Sequence, residues 1–274
     1  MFLVVASQKD IASLNIKQKI LDNYPFDQTA EKFNESPIYQ GKIGDRLVKL
    51  VTLNVESVYV PNLTDFFPKL ELIIFISRHS STSGTPTLSV HTPGNFGEAE
   101  LGGFSRVLSI SSANAMRNAL QSMMQYRNEK QLKYDVSYEC THHGPSFDVP
   151  TMFVELGSSP TQWSDLEAAE VVAQAAMQAI SKFNENGVAT AIGIGGPHYN
   201  AKFTRLALES EVAFGHMIPK YAIQSVDVEM LKQCVDKTLE TVEYAVLDWK
   251  GIKGEHKPRV IEMLKAVGLS IQKV

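Results

Sequence analysis

Cysteine is scarce in this chain. Only two of its 274 residues are cysteines, Cys140 and Cys234, and no CxxC pair occurs. A disulfide framework or a zinc site made of four thiolates is therefore excluded. Cys140 precedes two histidines and could be a nucleophile or a ligand, but a small buried residue at the end of a strand is the favoured interpretation.

Long hydrophobic runs are missing as well. The longest, such as residues 70–76, fall far short of the ~18 residues that a bilayer-spanning helix needs. The first six residues lack the basic region and long apolar core of a signal peptide, so they read as a first strand. These features predict a cytoplasmic protein with no membrane partner, and no obligate protein partner is evident from the sequence.

Nucleotide-binding motifs and an excess of positive charge are also absent. The glycines of segment 193–196 do not form GxGxxG and no P-loop exists, so dinucleotide and nucleoside triphosphate binding are unsupported. No GxSxG elbow occurs, which disfavours a serine hydrolase, although Ser77, Ser80 or Ser158 near a histidine stays open. The net charge of −4 argues against a protein that mainly coats nucleic acid.

The last segment is locally basic. From Lys250 onward, six lysine and arginine residues face two glutamates. A solvated helix face that happens to be basic explains this charge as well as a patch that contacts phosphates.

The order of predicted elements indicates an α/β protein: a single domain over residues 1–274 built as a three-layer α/β/α sandwich. The predicted strands are 1–6, a β-rich segment 45–59, 70–76, 133–140, 149–154 and 188–194. A first helix is predicted to follow the first strand and to end near residue 21. Four more helices are predicted over residues 113–127, 164–183, 227–242 and 258–267. A mixed sheet is expected because segment 45–59 suggests an antiparallel neighbour. Long loops near 77–103, 141–149 and 195–204 are expected to carry the active site, and the polar stretch 80–103 is predicted to be a functional loop.

Ser164 and Glu167 match a capping box that opens the Ala-rich helix 164–183. In this motif the serine oxygen accepts a backbone N–H while the glutamate reaches back to the first residue.

Five of the seven histidines fall in four short polar turns, each beside a predicted strand. They are His79, His91, His142, His143 and His198. Imidazoles that converge at strand ends are what a metal site or an acid/base site requires, because a rigid sheet holds them while the loops leave an open face. His216 and His256 lie outside such turns and are expected to be structural or on the surface.

Carboxylates accompany these turns, namely Glu98, Glu139 and Glu155. Histidine and carboxylate ligands are typical of catalytic zinc, which lowers the pKa of a bound water to about 7. The sequence therefore predicts a site for one or two zinc ions. His142 and His143 cannot both face one point on an extended strand unless the turn at Gly144-Pro145 reorients one of them, so either could be the ligand.

As a set, five motifs resemble the archaeal and plant type of D-aminoacyl-tRNA deacylase, in the same order along essentially the whole chain. They are Ser77-Arg78-His79-Ser80-Ser81, His91-Thr92-Pro93-Gly94-Asn95, Thr141-His142-His143-Gly144-Pro145, Val154-Glu155-Leu156-Gly157-Ser158-Ser159 and Gly195-Gly196-Pro197-His198-Tyr199. The resemblance implies a zinc-dependent cytoplasmic hydrolase that frees tRNA wrongly charged with D-amino acids of many kinds. It also implies a fold similar to those of phosphorylases and peptidyl-tRNA hydrolases.

Roles can be assigned by spacing within this resemblance. Zinc is expected to be held by His91, His143, His198 and either His142 or Glu155, and to activate a water that attacks the ester carbonyl. Otherwise Glu155 would serve as the general base. Further catalytic candidates are His79 and the oxyanion stabilisers Arg78 or the amides of Gly195 and Gly196. Asn95, Asn200 and Lys202 are candidates to bind substrate, and Lys250 and Lys253 to contact the tRNA acceptor stem, which would weaken binding as salt rises.

Two other functions stay open on the sequence. One is a zinc amidohydrolase or peptidase acting on a small molecule, for which KM would not depend steeply on salt. The other is a non-catalytic RNA-binding module, although the chain lacks interleaved aromatic and basic residues and net positive charge. Because histidine ligands must be neutral, activity is expected to decline below about pH 6.5.

Overall fold

The computed structural model describes residues 1–60, 63–185 and 187–274. Within them, strands and helices alternate along most of the chain. The strands are β1 (Phe2–Ser7), β2 (Phe26–Phe33), β3 (Ser36–Ile43), β4 (Arg46–Leu53), β5 (Leu72–Arg78), β6 (Thr87–His91), β7 (Asp135–Tyr138), β8 (Thr151–Gly157), β9 (Ala189–Ile194), β10 (Val212–Ile218), β11 (Val242–Leu247) and β12 (Ser270–Lys273). The helices are α1 (Ile11–Asn23), α2 (Ala113–Glu129), α3 (Pro160–Trp163), α4 (Leu166–Ser181), α5 (Ala201–Glu209), α6 (Val228–Asp236) and α7 (Lys257–Ala266).

These strands form two sheets. The larger has the order β2-β3-β4-β1-β5-β8-β6-β7 and the smaller β10-β9-β11-β12. In the larger sheet β1 runs parallel to β4 and β5, whereas β3 is antiparallel to β4 and β6 is antiparallel to β8. The α/β class and the mixed sheet are therefore confirmed, and β3 is the antiparallel neighbour expected for the 45–59 segment.

The centre of the larger sheet is covered on both faces. Side chains of β1 alternate between two clusters, with Val4 packed among residues of the helical face and Val5 among residues of the other face. Because both faces of β1 and β5 are buried, nearly all of their residues are apolar. The main cluster also contains Phe203 and Phe214 beside the smaller sheet. The shared core supports one domain over residues 1–274, which stays a prediction.

Several elements escaped sequence interpretation. Strand β6 lies inside the stretch 80–103, whose Ser, Thr, Gly and Pro content predicted a loop; that part of the prediction is wrong because burial between β7 and β8 overrides composition. Strand β2 is polar and mostly exposed, so no alternation marks it. The predicted helix 227–242 ends at Asp236, and its last residue begins β11 instead.

The N-terminus of α4 is capped by Asp165 rather than by Ser164. Asp165 Oδ1 accepts the backbone N–H groups of Glu167 and Ala168 at 3.0 and 3.1 Å. Ser164 instead ends the short helix α3. The predicted capping box is therefore wrong by one residue, because α3 occupies the chain up to the cap.

This correction has a measurable consequence. Replacing Asp165 by alanine is expected to lower the free energy of unfolding by about 1–2 kcal/mol. The substitution removes the helix cap and also the bond from the Tyr134 hydroxyl to Asp165 Oδ2, which is 2.9 Å long. Ser164→Ala is the matched control, and urea denaturation should place it within about 0.5 kcal/mol of wild type. Equal losses in both variants would contradict the assignment of the cap.

Candidate active site

Seven histidine and glutamate side chains meet beside the strands β5 to β9. His79 follows β5, His91 ends β6, Glu155 lies within β8 and His198 follows β9. The others, Glu139, His142 and His143, lie on the turn after β7. They form three overlapping groups in which one ligand atom from each residue lies within 4.8 Å of the others: His91, His142 and His143; Glu139, His142 and His198; and His79, Glu139 and Glu155. We refer to these seven residues as the His–Glu cluster.

Sheet register brings the first of these side chains together. Phe153 of β8 lies opposite His91 of β6, and Glu155 lies opposite Ser77 of β5 and Ser89 of β6. Because side chains two residues apart share a face of a strand, Phe153 and Glu155 point to the same side. The His91 ring stacks on the Phe153 ring with centroids 4.9 Å apart and an interplanar angle of 5°.

The adjacent histidines face each other because of the backbone at His143, where φ is +41°. This left-handed conformation breaks the alternation of an extended chain and brings the two ring centroids to 4.1 Å. His142 Nδ1 donates to the carbonyl of Cys140 at 2.9 Å, and His143 Nδ1 donates to the carbonyl of Gly144 at 2.6 Å. Each ring therefore keeps its Nε2 lone pair for another partner.

His91 is the most enclosed of the ring ligands. It is fully buried, and neither of its ring nitrogens has a hydrogen-bond partner among the described residues. Its Nε2 lies 3.7 Å from Glu155 Oε2, beyond hydrogen-bond range. A buried imidazole with two unpaired nitrogens is costly unless something else binds it.

His79 lies between the two buried carboxylates. Its Nδ1 lies 3.2 Å from Glu139 Oε1 and 3.6 Å from Glu155 Oε2. On the opposite side of the ring, Nε2 is hydrogen-bonded to the Tyr199 hydroxyl. The Ser77 hydroxyl donates to Glu155 Oε1 at 2.6 Å, which fixes the second carboxylate.

Both glutamates are held ionised. Burial by itself would raise the pKa of Glu139, but the hydrogen bond from His198 and the charges of His79 and His91 lower it to about 2. Burial opposes ionisation of Glu155 too, but its close contacts with His79 and His91 and the charges of these two rings bring its pKa well below the ordinary value. Two ionised carboxylates in a buried site favour a cation close by.

The histidines divide into two kinds. Burial, together with the charges of neighbouring histidines, lowers the pKa of His143 to about 4 and brings that of His142 well below its ordinary value. Burial also opposes protonation of His79 and His91, but their contacts with Glu155 outweigh it and raise their pKa. If protonation of His79 and His91, rather than of the adjacent pair, limits activity, the decline begins at a higher pH than the expected value of about 6.5, because a raised pKa keeps a histidine protonated to higher pH.

Two open cavities meet at the cluster. One of about 520 Å³ is bounded by Tyr59, Arg78, His79 and Glu155, and one of about 320 Å³ by Asn95, Glu98 and Tyr221. His142, His143 and Leu101 line both of them. A substrate can therefore reach the adjacent histidines from either side of Leu101.

Arg78 and Asn95 lie beside the cluster, but their polar atoms are engaged elsewhere. The Arg78 guanidinium donates to the Lys9 carbonyl at 2.8 Å and to Glu56 at 3.0 Å. The Asn95 amide nitrogen donates to the carbonyls of Gly102 and Phe104. The roles predicted for both in catalysis and substrate binding stay predictions.

Glu98 is exposed, accepts a hydrogen bond from the Ser105 hydroxyl and belongs to none of the three ligand groups among the described residues.

The predicted substrate-binding residues after β9 make their hydrogen bonds and ion pairs within the protein itself. The Gly195 N–H donates to the carbonyl of Ile218 at 2.8 Å, so it is not available to an oxyanion. Asn200 is fully buried, caps α5 and donates to the Gly195 carbonyl. The Lys202 ammonium pairs with Asp248. The structure therefore does not bring Gly195, Asn200 or Lys202 into the cluster, because their polar groups stabilise the turn after β9.

Gly196 shares that turn. Its φ is +79°, and a Cβ there would lie 2.5 Å from Asn200 Nδ2 and 2.9 Å from Asp248 Oδ2, so the position has no space for a side chain. Lys250 and Lys253 lie after β11 and are both exposed. Their predicted contact with tRNA stays a prediction.

The residues expected to be structural lie outside the ligand groups described. Cys140 is buried, and burial raises the pKa of its thiol. His216 is buried as well, 3.2 Å from the Thr141 hydroxyl and 3.2 Å from the Lys237 carbonyl. His256 lies 3.6 Å from the exposed Glu255.

Two tyrosines at the site escaped sequence interpretation. Tyr199 contacts His79, and the Tyr221 hydroxyl lies 3.2 Å from His198 Nδ1. Tyr199 directly follows His198 in the sequence, which is the one signal that could have indicated it. Nothing in the sequence links Tyr221 to a histidine turn, because only the return of the chain through β10 brings it there.

Imidazoles and ionised carboxylates that meet on an α/β fold beside two open cavities define an enzyme with a buried, accessible polar site. The particular family follows from comparison. The model of the D-aminoacyl-tRNA deacylase family matches residues 66–272. The chain is 36% identical over 275 residues to a D-aminoacyl-tRNA deacylase of Thermococcus onnurineus, covering 98% of both chains. It is 38% identical over 280 residues to one of Methanosarcina mazei, covering 98% of this chain and 91% of that one.

The chain belongs to the D-aminoacyl-tRNA deacylase family. It is also similar to a crystal structure of a conserved protein of unknown function, with a TM-score of 0.88 and 31% identity over 100% of this chain and 95% of that one. The predicted likeness to phosphorylases and peptidyl-tRNA hydrolases stays a prediction. Among the described helices, none combines the length and the apolar character that crossing a membrane requires.

Proposed function

We propose that this chain hydrolyses the ester bond of D-aminoacyl-tRNA and releases the free D-amino acid and tRNA. The observation that carries the proposal is the buried His–Glu cluster at the meeting point of two open cavities, in a chain that belongs to this family. A compact set of histidine and carboxylate atoms beside an accessible cavity is suited to the hydrolysis of a carbonyl ester.

The cluster fits a zinc ion, and His91, His142 and His143 are the ligands we propose. His91 has two unpaired buried nitrogens, and the other two rings keep Nε2 free because Nδ1 donates to a backbone carbonyl. Such outer bonds are what orient histidine ligands in metal proteins. When bound, zinc supplies Lewis-acid polarisation and lowers the pKa of water. His198 would belong to a second group with Glu139 and His142, so the four-residue set expected from spacing is divided between two groups.

The chain's own residues supply the proton chemistry in this proposal. Water adds to the ester carbonyl carbon, the bond from that carbon to the ribose oxygen breaks, and a proton passes from the water to the departing ribose oxygen. Glu155 relays this proton: its ionised carboxylate, which lines the cavity beside His142 and His143, takes the proton from the water and gives it to the ribose oxygen as the ester bond breaks. Ser77 and His79 hold this carboxylate in place through their contacts with it.

The proposal predicts stereospecific cleavage. Purified protein incubated with D-tyrosyl-tRNA and L-tyrosyl-tRNA is expected to release tyrosine from the D form alone, measured as acid-soluble amino acid. KM should rise steeply with salt, because a polyanionic substrate releases counterions on binding.

Two results would point to the other functions. A KM indifferent to salt, with cleavage of small amides, would favour an amidohydrolase. Binding of tRNA with no release of amino acid would favour an RNA-binding module.

A further inference from the structure

Large apolar side chains stand exposed beside the His–Glu cluster. Tyr59 is 56% exposed, Leu101 53% and Phe104 68%. Tyr59 and the segment that contains Leu101 and Phe104 pack against each other at Gly102, where φ is +70° and a Cβ would lie 1.8 Å from the Val58 carbonyl oxygen. The close approach leaves no room for a side chain at this position.

The exposed segment is held firmly by hydrogen bonds. The Phe104 N–H donates to the Ser146 hydroxyl at 3.1 Å, and the Asn95 amide donates to the carbonyls of Gly102 and Phe104 at 2.9 and 3.3 Å. The N–H of Gly144, directly after His143, donates to the Leu101 carbonyl at 2.8 Å. Large apolar side chains that are exposed together on a fixed backbone are typical of a contact surface.

The two aromatic rings lie along a path that leads out of the cluster. Tyr59 lines the 520 Å³ cavity that reaches His142 and His143, and it also lines a neighbouring cavity of about 780 Å³. Phe104 lines this outer cavity. Tyr59 is therefore the nearer of the two rings to the cluster, and Phe104 is the farther.

We propose that Tyr59 and Phe104 form a stacking platform for the unpaired 3′ nucleotides of tRNA. Tyr59 would take the terminal adenine, which carries the ester, and Phe104 the base that precedes it. This inference rests on the proposed function, since an ester held at the cluster must bring its own nucleotides along this path.

The chemistry of the platform favours bases over phosphates. Every base has a flat face that stacks on an aromatic ring, and such stacking is tolerant of sequence. Neither cavity offers a free cation to a phosphate among the described residues, because Arg78 of the inner cavity is paired with Glu56 at 3.0 Å and no lysine or arginine lines the outer cavity. An enzyme that accepts many tRNAs is served by contacts to the 3′ end that all tRNAs share.

Kinetics of alanine variants tests the platform. Tyr59→Ala and Phe104→Ala are each expected to lower kcat/KM for D-tyrosyl-tRNA about 5- to 100-fold, mainly by raising KM. Tyr59→Trp and Phe104→Trp should retain activity near that of wild type. Phe66→Ala is the matched control, because Phe66 is 61% exposed but packs on the Phe33 ring, 5.3 Å away.

Competition by uncharged nucleotides distinguishes the two rings. Inhibition by the trinucleotide CCA is expected to weaken in both alanine variants, whereas inhibition by adenosine should weaken in Tyr59→Ala alone. Values of kcat/KM equal to wild type in both variants would overturn the platform while the proposed function stands. So would failure of CCA to inhibit the wild-type protein, or a change of oligomeric state as the sole effect, which would assign the rings to contact between copies of the chain. Absence of cleavage by the wild-type protein would instead refute the proposed function.

Discussion

Replacing His142 by alanine is expected to lower kcat for D-aminoacyl-tRNA by about 10³-fold or more, the scale of losing an essential catalytic group. His142 belongs to two of the three ligand groups and lines both cavities at the cluster. Its removal therefore disrupts the cluster from either side. Single-turnover measurement of ester cleavage at saturating enzyme separates this loss of rate from weaker substrate binding.

His256→Ala is the matched control for this experiment. His256 lies after β11, beside Glu255, and belongs to none of the ligand groups among the described residues. The activity of the His256→Ala protein should equal that of wild type, and both variants should keep a wild-type circular dichroism spectrum. More than a tenth of wild-type activity in a folded His142→Ala protein would show that the reaction occurs elsewhere.

Removal of metal is expected to have the second large effect. Dialysis against a chelator should abolish cleavage, and zinc should restore it. The Nε2 lone pairs of His142 and His143, the unpaired nitrogens of His91 and two ionised carboxylates suit a cation better than an empty cavity. Zinc at about 100 times its dissociation constant adds about 2.7 kcal/mol of stability. For a chain of this size, that stability raises Tm by roughly 5–10 °C.

The His142→Ala protein supplies the comparison. Zinc should leave its Tm unchanged or raise it much less, which would tie the stabilisation to the cluster rather than to surface carboxylates. Wild-type protein whose activity survives exhaustive chelation, with a Tm indifferent to zinc, would refute the zinc site and leave the ester hydrolysis to the carboxylates and histidines alone.

Local sequence indicated helices α1, α2, α4, α6 and α7 and the central strands of the larger sheet, but not helices α3 and α5. Helix α2 follows its predicted span closely, and the proline near residue 258 lies in the first turn of α7, as expected. These elements could be predicted because apolar periodicity and terminal residues act over a few positions of the chain. Strands β2 and β6 could not, since a polar strand is stabilised by its neighbours in the sheet rather than by its own composition.

The histidine turns were also evident in the sequence, because polar turns with imidazoles beside apolar runs are unusual in composition alone. Which rings share a ligand group was decided by the tertiary structure. Sheet register sets His91 opposite Phe153, and the left-handed backbone at His143 turns its ring towards His142. Asn200 and Lys202 were predicted to bind substrate from their position just after His198. The packing of β9 beside β11 instead places Asn200 against the Gly195 carbonyl and Lys202 against Asp248. Distances between residues far apart in the chain depend on how strands pair and helices pack, and no local pattern contains that information.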